Sequence, residues 1–61
     1  MSHLVTDPNL LSPDDFYADL IATHEGLSDE ESEALNSRLV LVLANHIGDQ
    51  NILREALKAS K

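Results

Sequence analysis

Three histidines, His3, His24 and His46, are the residues of a type suited to metal or acid–base chemistry in a chain with no cysteine. They set the first question, which is whether they serve a metal or acid–base chemistry. His24-Glu25 opens like the helical zinc motif in which a second histidine follows four residues after the first, but Ser28 stands in that place. The acidic run Asp29-Glu30-Glu31-Ser32-Glu33 supplies carboxylates, yet it lacks the alternating ligands and central glycine of a calcium loop. Gly26 and Gly48 are the only glycines, so no glycine-rich phosphate cradle exists. Paired carboxylates for glycosyl transfer need a cleft that 61 residues scarcely build. Ser28 stands at a helix start like the serine of a carrier protein, whose signature puts Asp before it and Leu after it. Here Leu27 precedes and Asp29 follows, and capping accounts for the serine. The sequence therefore predicts a protein that is not an enzyme, with no cofactor, no metal site and no catalytic residue. A small metal- or ligand-binding protein using His24 and His46 stands as the chemical alternative.

The elements that must position these residues are legible from caps and periodicity. Ser12, Pro13, Asp14 and Asp15 form a helix start, with Pro at the first helical position and acids at the positive dipole end. Leu11 and Phe16 are spaced for a hydrophobic staple. Phe16, Tyr17, Leu20 and Ile21 fall on one helical face, and Gly26 ends the helix, giving a first helix over 13–24. Ser28 and Glu31 are spaced as a capping box for a second helix over 29–47, closed by Gly48. Asp49 caps a third helix over 50–59, with Ile52, Leu53, Ala56 and Leu57 on one face. His24 and His46 end their helices, where an imidazolium suits the dipole. The fold class is all-α: an extended arm over 1–11 and one three-helix domain over 12–61.

Charge is divided along this frame. Residues 1–33 hold nine acids and no Lys or Arg, while residues 34–61 hold Asp49 and Glu55 against Arg38, Arg54, Lys58 and Lys61, for a net −7. Four cations do not support binding to a nucleic-acid backbone, and an anionic membrane surface repels such a chain. The longest apolar run, Leu39 to Ala44, is far short of the roughly 20 residues that span a bilayer, and the start lacks a signal-peptide pattern. A soluble cytoplasmic protein is the expectation.

The second helix carries the functional signal. Leu35, Leu39, Val42, Leu43 and His46 make one stripe, but Val40, Leu41, Ala44 and Ile47 fall outside it, so residues 39–44 are apolar almost all round. Two short helices and an arm are expected to cover only part of such a helix, and most chains this small need a staple, for which there is no cysteine and no convincing metal site. Either Leu4, Val5, Leu10 and Leu11 of the arm lie over the helix, or another protein does. The partner-binding residues are expected to be Leu39, Val40, Leu41, Ala44 and Ile47, with the acidic helix starts steering the approach.

Pro13-Asp14-Asp15-Phe16-Tyr17, His24-Glu25-Gly26-Leu27-Ser28-Asp29-Glu30-Glu31-Ser32 and Leu43-Ala44-Asn45-His46-Ile47-Gly48-Asp49 resemble a family of short proteobacterial proteins catalogued as a domain of unknown function. The likeness covers about residues 8–58. It implies no catalytic residue. It does imply a genomic setting beside flavin-dependent oxygenases, and so a small accessory subunit docking on a larger enzyme, possession of a partner being the expected function. The alternative is a self-contained homodimer with a structural or regulatory role.

Overall fold

The computed structural model describes residues 3–61. Among them are three α-helices and no strand: α1 Pro13–His24, α2 Asp29–Ile47 and α3 Gln50–Ala59. Residues 3–11 form neither helix nor strand.

Local chemistry sets the helix ends. The Ser28 hydroxyl accepts from the Glu31 N–H at 3.2 Å while the Glu31 carboxylate accepts from the Ser28 N–H at 2.9 Å, so the capping box is closed in both directions. The Asp49 carboxylate accepts from the N–H groups of Asn51 and Ile52 at 2.9 and 3.1 Å, satisfying two donors that α3 itself leaves free. Gly26 and Gly48 lie at φ +78° and +71°, a left-handed turn that a Cβ disfavours. Gly48 also returns its N–H to the Ala44 carbonyl at 2.9 Å, and this turn sends α3 back along the C-terminal half of α2.

The start of α1 departs from the sequence reading. Ser12 makes no side-chain cap: its backbone sits at ψ 78°, against 167° at Ser28, and only its carbonyl engages the helix, accepting from the Phe16 N–H at 3.1 Å. The staple is also absent, because Leu11 is fully exposed and leaves Phe16 without its partner.

Nor does the arm cover α2. The Leu4 N–H donates to the Glu55 carboxylate of α3 at 2.9 Å, and Leu4 is half-buried, but Val5, Leu10 and Leu11 are exposed. Counting 100° per residue, Glu55 lies about 160° round α3 from the residues that face α2 and its groove, so the arm is tied to the back of the hairpin.

The result is a chain without a core. No described residue is fully buried; Leu20, Leu35, Leu39, Ala44, Ile52, Leu53 and Ala56 are half-buried. A folded monomer of 6.7 kDa exposes about 3,900 Å² and has a radius of gyration near 10.5 Å by the usual scaling. This chain exposes 5609 Å², with a radius of gyration of 13.4 Å and extents of 42 × 24 × 21 Å. Roughly 1,700 Å² per chain is therefore uncovered beyond what a self-contained domain shows. It is spread over the arm, over α1, where Phe16, Tyr17 and Ile21 are exposed, and over α2 and α3.

The capping box makes one pH prediction. The Ser28 backbone N–H, then the Ser28 hydroxyl, favours the charged Glu31 carboxylate and lowers its pKa below the ordinary value. A lowered folded pKa contributes stability that is whole above the ordinary glutamate range and is lost as pH falls through the lowered value. Helical content followed by circular dichroism should decline on acidification in that window. Glu31→Gln should be less helical than the parent at neutral pH and converge with it in acid. Parallel titrations with a constant gap would assign the helix start to something other than this carboxylate.

Candidate functional site

The residues that could do chemistry are kept apart. The His24 ring Nε2 lies 3.0 Å from the Asn36 side-chain oxygen, a hydrogen bond that joins the end of α1 to α2 and leaves His24 half-buried. His46 is exposed in the last turn of α2. Asn36 and His46 are ten positions apart on one helix, about 15 Å along its axis. The structure thus places His24 and His46 apart, His24 against the first half of α2 and His46 at its end. No cluster of three or more His, Cys, Asp or Glu suited to a metal occurs among the described residues. The acidic residues Asp29, Glu30 and Glu31 occupy the first turn of α2, where the helix dipole favours them.

What α2 presents instead is apolar surface on two sides. On one side Val40, Leu43, Ala44 and Ile47 join Leu53 and Leu57 of α3 to line an open groove of about 680 Å³. Gln50 and Ser60 are its only polar residues, and no charged side chain lines it. On the other side stand Leu41 and Val42, 70% and 64% exposed. Taking 100° per residue, Leu41 lies about 110° one way round α2 from the groove's mid-line and Val42 about 150° the other way, with Arg38 and Asn45 between them.

The five residues expected to bind a partner consequently do not form one patch. Val40, Ala44 and Ile47 line the groove, Leu41 faces away from it, and Leu39 is half-buried. Sequence reading did not name Leu43, Leu53 and Leu57 among the partner-binding residues, yet all three line the groove, Leu43 and Leu57 exposed and Leu53 half-buried. The signal was present in Leu53 and Leu57, four apart on the most amphipathic of the three helices, and in the shortage of anything for that face to pack on.

Three helices and no strand among the described residues, with apolar side chains exposed on both sides of α2, define a small all-α domain. The chain belongs to the family described as Protein of unknown function (DUF2783), whose profile matches residues 4–61. No curated protein and no solved structure shows significant similarity to it. No helix among the described residues is long and apolar enough to cross a membrane.

Proposed function

We propose that this protein is a non-catalytic interaction module, an accessory subunit that docks on a larger cytoplasmic enzyme. The observation that carries the reading is the exposure of Leu41 and Val42, 70% and 64%, on the side of α2 turned from the groove. Leu41 and Val42 flank Arg38 and Asn45 on that side of α2, so it offers a partner two exposed apolar side chains about a polar centre. The nine acids of residues 1–33 supply a field that speeds encounter with a basic surface on the partner. The family resemblance points to a flavin-dependent oxygenase as the larger enzyme. In this reading the chain carries no cofactor of its own, and it binds neither nucleic acid nor membrane.

Calorimetric titration of the chain into a flavin-dependent oxygenase from the same cell tests it. Binding with a negative heat-capacity change, weakened by added salt, is the expected result, because apolar area is buried and opposite charges steer the approach. Absence of heat at every temperature would remove the oxygenase as the partner.

A further inference from the structure

We infer that the groove between α2 and α3 is closed by the same groove of a second copy of this chain, giving a twofold-symmetric dimer in which two helical hairpins share one core. This goes beyond the docking reading, since it uses a different face and a different partner.

The area sets the scale of what must be covered. The surplus of roughly 1,700 Å² per chain is about twice the 800 Å² that one standard interface takes from each partner. A single docking event on an enzyme leaves much of it exposed. Two copies that each cover about half of the surplus through α2 and α3 bury a total of about 1,700 Å², the size of a standard interface.

The chain's own segments do not fill the groove. The arm is held at the back of α3 by the Leu4–Glu55 hydrogen bond, and α1 is joined by the His24–Asn36 bond to the half of α2 that lies before the groove. The lining also suits a copy of itself. A twofold interface sets the same patch against itself, so any charged lining residue raises the cost of pairing by bringing like charges together. This groove has none: Val40, Leu43, Ile47, Leu53 and Leu57 meet their own kind, while Arg54 and Lys58 lie on α3 outside the lining.

The net charge of −7 adds a signature. Two such chains repel at long range, and salt screens that repulsion. Self-association should tighten with added salt, the opposite of charge-steered docking on a basic partner.

Sedimentation equilibrium of the untagged full chain over about a hundredfold dilution tests the proposal, at ionic strengths giving Debye lengths of about 30 and about 8 Å. The expected result is twice the chain mass, with tighter association at the higher ionic strength. Leu57→Lys should weaken association by more than about a hundredfold, since each dimer loses two buried leucines and gains two charges in its core. Leu41→Lys should leave the association constant unchanged. A spin label placed on Ser60→Cys, at the end of the groove, checks the face in an otherwise unaltered dimer and should show dipolar coupling between copies. A monomer at every concentration, a mass other than two, an unaltered constant in Leu57→Lys, or an uncoupled label in a dimer would each overturn the proposal. None of these results bears on binding through Leu41, so failure here is distinguishable from failure of the docking reading.

Discussion

Leu41→Lys should leave the helical content of the chain intact and weaken its binding to the partner enzyme by about a hundredfold. The two halves of this expectation have separate causes. Leu41 is 70% exposed in the free chain, so replacing it removes little internal contact, and lysine is a good helix former. On a partner the same side chain becomes buried, and full burial of a leucine contributes about 1.5–3 kcal/mol. Lysine forfeits that and carries a charge into an apolar contact, which adds a desolvation cost. A loss near 2.8 kcal/mol is a factor of about a hundred in the dissociation constant. Leu41→Ala should fall between the two, at about tenfold, because it removes the area without burying a charge. Calorimetric titration reads the constants, and circular dichroism checks the helix. Equal binding by all three chains would move the docking surface away from Val42 and its neighbours.

The cost of such surfaces shows in what the sequence could and could not specify. Helix ends were readable because each is settled within four residues: Ser28 with Glu31, Asp49 with Asn51 and Ile52, Gly48 with Ala44. Side chain and backbone meet there whatever the rest of the chain does. Ser12 has the same chemistry but a different backbone angle, ψ 78°, and its hydroxyl caps no N–H. Where the arm lies was beyond reach of pattern reading, since the Leu4–Glu55 hydrogen bond joins residues 51 positions apart.

The candidate surface was half legible for a related reason. Spacing gives the azimuth of every residue on α2, so the excess of apolar side chains over residues 39–44 could be counted without a structure. It does not say which azimuth α3 takes after the Gly48 turn. That choice separates Val40, Ala44 and Ile47, which line the groove, from Leu41, which does not. Grouping them as one patch assumed that a helix this apolar has a single free side. With so little of the chain buried, it has two.

The same shortage of burial makes the α3 cap decisive. Asp49→Ala should lower the melting temperature by about 5–15 °C and release α3 before α2. The Asp49 carboxylate holds two first-turn N–H groups, and losing such a cap costs about 1–2 kcal/mol. In a large domain that loss is diluted, but a chain under about 70–80 residues rarely gains more than about 3–5 kcal/mol from its core. At about 4–8 °C per kcal/mol for a domain of this size, the shift follows. Amide hydrogen exchange at Asn51 and Ile52 locates the effect, since those two protons should lose protection in Asp49→Ala while the Glu31 amide keeps it. Asp49→Ser, which retains an acceptor, should recover most of the loss. If Asp49→Ala melted with the parent, α3 would be held by its apolar face alone, and Ile52, Leu53 and Ala56 would have to be buried far more deeply than the free chain shows. Because α3 forms one wall of the groove, fraying it removes Leu53 and Leu57 from the lining. The cap and the groove therefore stand or fall together, through ten residues of helix held at one end by a single carboxylate.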